Sequence, residues 1–257
     1  MKLTIKHIVA ASAIAATGIA HAAPVHVSVG DTWNGLTASG TASLSFSSDL
    51  LTAMDTGKIS IDNYGVATST IVKDADGYFL SASAAAPLTS ATFDDVSLEA
   101  LAVASSGGVT LTAPAMRGIS TGGSLVVTDL AADLVTKKIY ATVIGGNGVG
   151  TLTNFALWDF ATITGTIKFA GPGVYNNTIS GLSLSTASFD VFAQSLGLLK
   201  TGKDAMRGIT DYGTVTSQII GAPVPTPAIP EPSTYALMGL GLVGVMMATR
   251  RKLAQAA

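Results

Sequence analysis

Few residues in this 257-residue chain are of types and spacings that do chemistry. Histidine occurs three times, and His7 and His21 fall in an N-terminal segment that reads as removable. His26 remains, close to the start of the mature chain, where a base rigidly held between a nucleophile and a carboxylate is not expected. One histidine and no cysteine leave no set of soft ligands for a zinc-type site. Asp74-Ala75-Asp76-Gly77 opens like a calcium loop, but no acid follows between Tyr78 and Thr92, so a hairpin turn is expected. Asp94, Asp95 and Glu99 contain the two carboxylates that glycoside hydrolysis needs. Adjacent acids at an element start more often cap backbone N–H groups. Gly145-Gly146-Asn147-Gly148-Val149-Gly150 lacks the spacing and the lysine of a phosphate cradle and reads as a hairpin loop. Arg117 and Arg207 suit anionic sugars or structural ion pairs. Trp33 and Trp158 suit sugar stacking or, for Trp158 beside Leu157 and Phe160, core packing. The expectation is a protein that is not an enzyme and carries no cofactor and no metal.

The elements that would position these residues are mostly strands. Thr162 to Phe169 alternates, with Ile163, Ile167 and Phe169 on one side and Thr162, Thr164, Thr166 and Lys168 on the other. Its Thr row resembles an ice-binding surface. A single such strand ranks ice binding below the other readings. Further strands are expected at Leu44–Phe46, Lys58–Asp62, Ser124–Thr128, Ile139–Ile144 and Ile179–Ser185. Turns are expected at Asp76-Gly77, Gly107-Gly108, Gly122-Gly123, Gly145–Gly148, Pro172-Gly173 and Asn176-Asn177. Ser48–Met54 and Asp190–Leu199 read as short helices, and Thr92–Ala104 as a weaker third. Three echoes suggest a duplicated unit at about 60–120 and 180–220. Ala115–Ile119 recurs at Ala205–Ile209, Thr89–Asp94 at Ser185–Asp190, and Ile61–Gly65 at Ile209–Gly213. The fold class expected for residues 23–221 is mainly β, as a β-sandwich or duplicated β-rich unit with one or two short helices.

Composition narrows the function classes. Charged residues make up 12% and hydrophobic residues 48%, mean hydropathy is +0.50, and net charge is −2. Nucleic acid is not an expected partner, because there is no basic excess to neutralise phosphates. Lys2, Lys6, Arg250, Arg251 and Lys252 lie in the end segments, whereas all 16 acids lie between them, so the body is more acidic than the whole.

Both ends read as addresses. Lys2 and Lys6, an uncharged run from Ile8 to Ala20, and the small pair Ala20 and Ala22 make a signal peptide over 1–22, cut by signal peptidase after Ala22. Prolines mark 222–229 as a linker. Pro230-Glu231-Pro232-Ser233-Thr234 is followed by an uncharged apolar run, 235–249, and by Arg250, Arg251 and Lys252. The run is short for a bilayer core, and the basic cluster sets its end on the cytoplasmic side. In this order the three parts resemble the PEP-CTERM sorting signal of Gram-negative bacteria over residues 230–257. The resemblance implies export, a transient inner-membrane anchor (a transmembrane helix over 235–249) with the body on the periplasmic side, and recognition near Pro230-Glu231-Pro232 by an exosortase. It further implies delivery to the cell surface or extracellular space. The expected role is a surface or matrix protein associated with exopolysaccharide or biofilm. A carbohydrate-binding or carbohydrate-processing module is the alternative.

Overall fold

The computed structural model describes residues 23–225 and 235–243. The elements of the body, in order, are β1 (Pro24–Ser28), β2 (Thr32–Trp33), β3 (Leu36–Phe46), α1 (Ser48–Thr56), β4 (Ser60–Tyr64), β5 (Thr68–Lys73) and β6 (Phe79–Asp94). They continue with β7 (Ala100–Ser105), β8 (Gly108–Met116), β9 (Ser120–Asp133), β10 (Lys138–Gly145), β11 (Gly150–Asp159) and β12 (Thr162–Gly165). The last are β13 (Gly173–Ser180), β14 (Ser183–Leu184), α2 (Thr186–Ser195), α3 (Lys200–Arg207) and β15 (Gly213–Pro223). The body is mainly β and antiparallel, as the alternating sequence requires.

Strand alternation builds the core directly. In β10, Ile139, Ala141 and Val143 are buried, and in β8 so are Val109, Leu111 and Ala113. The strands follow the path β12-β13-β15-β3-β6-β7-β9-β10-β11-β14. The long strand β6 serves two sheets. Its first half pairs with β3 and β5, and its second half with β1 and β7. The first sheet thus holds β1, β4, β7 to β11 and β14, and the second holds β2, β3, β5, β12, β13 and β15. Their inner faces meet around a cavity of about 30 Å³ lined by Ala42, Ile179 and Val215 from the second sheet and by Leu88, Val103, Leu130 and Ile139 from the first. Asn177 and Ser217 also reach this cavity. The Ser217 hydroxyl donates to Asn177 Oδ1 (2.8 Å), while Asn177 Nδ2 is buried without a partner.

Helices cap the sheets. Ser47 accepts from Leu50 N (3.1 Å) to start α1, and Ser185 accepts from Ser188 N (3.1 Å) to start α2. Gly123 lets the end of α2 approach β9, since a Cβ there would lie 2.2 Å from Ser195 O. The second unit, beginning at Pro223, has a helix over 235–243 with exposed Tyr235, Leu237, Met238 and Leu240. No helix among the described residues is long and apolar enough to cross a membrane. The spans 1–22, 226–234 and 244–257, with Ala20, Ala22, Pro230, Glu231, Pro232, Ser233, Thr234, Arg250, Arg251 and Lys252, lie outside them.

Several expected elements differ. Thr92–Ala104 is not helical: it is the end of β6, a turn and β7. The turn forms because Asp94 Oδ1 accepts from Val96 N and Ser97 N while Leu98 adopts φ +62°. The strand at 162–169 stops at Gly165 (φ +99°). Ile179–Ser185 straddles a turn at Gly181, and Gly122-Gly123 lies inside β9 rather than between strands. The second helix begins at Thr186, earlier than the apolar spacing suggests, and α3 is an additional helix. The echoes take different structures in their two places. Ala115–Ile119 closes the β8–β9 hairpin while Ala205–Ile209 ends α3, and Thr89–Asp94 is strand while Ser185–Asp190 starts α2.

Candidate functional site

Strands β3, β12, β13 and β15 of the second sheet present a neutral outer surface. On β13 and β15 the inward residues are Asn177, Ile179, Val215, Ser217 and Ile219, so their neighbours in sequence face solvent. Register then sets hydroxyl opposite hydroxyl. Thr164 pairs with Thr178 and Thr162 with Ser180; Thr178 in turn pairs with Thr216, Ser180 with Thr214, and Asn176 with Gln218. The Thr162 and Ser180 hydroxyls are 2.7 Å apart, and Gln218 Nε2 donates to Asn176 Oδ1 (3.2 Å). Thr41, Ser43 and Ser45 of β3 extend the face, and Thr216 Oγ1 donates to Ser43 O (3.4 Å). Gly40 makes this junction: a Cβ there would lie 2.1 Å from Gln218 O. Between β3, β13 and β15 runs a groove of about 330 Å³ lined by Thr41, Ser43, Asn176, Thr178, Thr216 and Gln218. No charged residue lies on β3, β12, β13 or β15. The surface offers rows of donors and acceptors about 4.8 Å apart between strands and about 6.8 Å apart along them.

A different cleft, of about 480 Å³, opens between α1 and the β5–β6 hairpin. It is lined by Thr52, Asp55, Thr56, Lys58, Tyr78 and Phe79. Asp55 Oδ2 accepts from Phe79 N (2.9 Å) and ties the hairpin to the helix. Lys58 Nζ lies 5.1 Å from the Tyr78 ring centroid, and Lys73 Nζ lies 4.2 Å from that of Phe79. A third cleft, of about 270 Å³, lies at the start of α2 near Arg207, whose guanidinium sits 5.6 Å from the Phe189 ring centroid.

The residues singled out by sequence fall mainly into structural places. His26 is exposed, with Nδ1 3.3 Å from Thr92 Oγ1. Asp74 Oδ1 accepts from Asp76 N (3.0 Å) and Tyr78 N (2.8 Å), so its carboxylate builds the hairpin tip. No group of three His, Asp or Glu residues that could hold a metal ion occurs among the described residues. Asp94 is a turn former, and its two backbone donors, Ser97 first and then Val96, hold its carboxyl below the ordinary carboxylate value. For Asp133, burial pushes upward, yet the Thr136 and Val135 donors together outweigh it and the net shift is downward. The hydrogen bond and charge of Asp159, 2.5 Å away, hold Lys138 above the ordinary lysine value, and Lys200 holds Asp204 down. Burial pushes the Tyr212 phenol up to about 12. Arg207 lies 4.0 Å from Asp204, whereas Arg117 is exposed in the β8–β9 turn and outside the ion pairs of the described residues. Trp158 is buried in the core, and Trp33 stacks on Phe93 with centroids 4.6 Å apart. Asn147 anchors the Gly145–Gly150 loop by donating to Gly122 O (3.0 Å) and Ser195 O (3.1 Å).

Sequence reasoning finds one Thr row, at 162–166, and misses its partners on β3, β13 and β15. The alternations Thr41-x-Ser43-x-Ser45 and Thr214-x-Thr216-x-Gln218 are the available signal. Lys58, Tyr78 and Phe79 carry no signal, because only the docking of the hairpin on α1 joins them.

Residues 228–252 match the PEP-CTERM protein-sorting motif. The chain therefore carries that motif near its C-terminus, which implies an exosortase-sorted, exported protein with a transient membrane anchor. No curated protein matches the chain. Among solved structures it is similar to the heme-binding protein HtaB from Corynebacterium glutamicum, at 13% identity and TM-score 0.45, over 78% of this chain and 98% of that one. It is also similar to the C-terminal domain of HtaA from the same organism, at 13% identity and TM-score 0.41, over 72% and 99% respectively.

Proposed function

We propose that the exported body is a non-enzymatic surface or matrix protein that lies against neutral exopolysaccharide after exosortase processing near Pro230-Glu231-Pro232. One observation carries the proposal: the uncharged hydroxyl and amide face formed by Thr162, Thr164, Thr178, Thr216 and their neighbours across β3, β12, β13 and β15. Polysaccharide hydroxyls exchange hydrogen bonds with such a face without desolvating an ion. Each bond adds about 0.5–1.5 kcal/mol net, so affinity comes from many repeated contacts.

The test uses the exported protein recovered from an exosortase-positive host. Retention on immobilised neutral exopolysaccharide is compared between wild type and the Thr178→Lys/Thr216→Lys double variant. Wild type is expected to be retained and to release no new reducing ends. The variant is expected to lose retention at least tenfold with an unchanged melt. Equal retention of both proteins would overturn the proposal. The same hydroxyl rows support ice binding as a second reading, and inhibition of ice recrystallisation lost in the same variant would favour it.

A further inference from the structure

The cleft between α1 and the β5–β6 hairpin has features that a purely structural junction does not need. The protons of its two threonine hydroxyls are already used: Thr52 Oγ1 donates to Ser48 O (2.8 Å) and Thr56 Oγ1 to Thr52 O (3.0 Å). Their oxygens can then only accept from a ligand. Asp55 commits Oδ2 to Phe79 N and has its other oxygen as a further acceptor. Beside these acceptors stands Tyr78, 48% exposed, at the tip of a hairpin that the Asp74 carboxylate shapes.

Lys58 is held there at a conformational cost. The end of α1 is closed by Ile59 N donating to Met54 O (2.9 Å) and Lys58 N to Asp55 O (3.1 Å). That closure sets residue 58 in the left-handed region, at φ +51°, where glycine is the ordinary choice. A lysine at this position keeps the strain and gains an ammonium beside Tyr78.

Acceptors on one side, an aromatic plate on the other and the Lys58 ammonium beside it suit a ligand that brings several hydroxyl donors and an apolar ring face. An inorganic anion would meet mostly acceptors. We propose that this cleft binds one pyranose residue of a neutral polysaccharide, stacked on Tyr78 and donating to Asp55, Thr52 and Thr56. The assignment rests on the neutral-glycan reading of the protein and adds a discrete sugar subsite outside the hydroxyl face.

The experiment is calorimetric titration of the exported protein with hexasaccharides of glucose, mannose and galactose. At least one is expected to bind. Tyr78→Ala is expected to weaken that binding about tenfold, the scale of one lost aromatic contact. Tyr78→Phe is expected to stay within about threefold, since the ring remains. Lys58→Gly is expected to weaken binding while melting no lower than wild type, because glycine relieves the left-handed strain. The Thr178→Lys/Thr216→Lys variant is expected to titrate like wild type. No binding by any hexasaccharide, or equal binding by Tyr78→Ala and wild type, overturns the subsite. Retention on polysaccharide combined with silent titrations removes the subsite and leaves the face reading standing. Loss of retention in wild type removes the latter.

Discussion

Replacing Gly40 by alanine tests how the hydroxyl face is assembled. The new Cβ would lie 2.1 Å from Gln218 O, 3.0 Å from Leu88 Cδ1 and 3.1 Å from Gln218 C. The oxygen is main chain in a paired strand, so it cannot swing aside. Restoring van der Waals distance requires β3 and β15 to part locally by about 1 Å. Overpacking of this kind costs about 1–3 kcal/mol, and each weakened ladder hydrogen bond adds about 0.5–1.5 kcal/mol. The smaller entropy of the unfolded alanine chain returns about 0.4–1 kcal/mol. The net loss is about 2–4 kcal/mol, which for a body of this size lowers Tm by roughly 6–12 °C. Gly208→Ala is the control, because φ there is −72° and no atom lies within 4 Å of where its methyl group would sit. It should melt at or slightly above wild type. The assay is thermal unfolding followed by circular dichroism at fixed concentration. If Gly40→Ala and Gly208→Ala melt within about 1 °C of each other, the close β3–β15 approach is not what orders this face.

Ser47→Ala removes the cap accepted from Leu50 N and the 2.7 Å bond donated to Asp211 O. It should cost about 1–2 kcal/mol, read as a lower denaturant midpoint with unchanged slope. Leu125, fully buried on β9, should cost about 2–5 kcal/mol when cut to alanine, measured the same way. Asp94, Asp133 and Asp204 are all held below the ordinary value of 3.8, so their contribution is present above that pH and is lost as pH falls through their lowered values. Melts should therefore fall below about pH 4, and the fall should be smaller in Asp94→Asn/Asp133→Asn; an identical fall would refute the assignment. Replacing Pro230-Glu231-Pro232 by alanines should leave the C-terminal tail uncleaved in an exosortase-positive host, as seen by immunoblot against that tail.

The strands are legible in sequence wherever a hydrophobic residue alternates with a polar one, as in β10, where every second side chain is buried. Helix α1 is legible from its Ser cap and apolar turn. Helix α3 is not, because Met206 is its only large buried side chain and Leu199 supplies no side-chain cap. Thr92–Ala104 misleads because its apolar spacing fits a helix, while Asp94 and Leu98 turn the chain instead. The repeated peptides take different structures for a related reason: five shared residues do not override the tertiary setting of each copy. The face and the cleft are largely hidden. Thr164, Thr178 and Thr216 become neighbours only through sheet pairing, and Lys58 meets Tyr78 only after the hairpin docks on α1.

Strand β6 has a mechanical consequence. Its 16 residues run from the cleft at Phe79 to Asp94, and it is flanked by β3 and β5 along one half and by β1 and β7 along the other. Antiparallel hydrogen bonds lie across the strand axis. A polymer pulling on the hairpin tip along β6 therefore loads the ladders of four neighbouring strands together, in shear, instead of opening them one bond at a time. The tension enters both sheets at once, so the body resists unravelling as a single block.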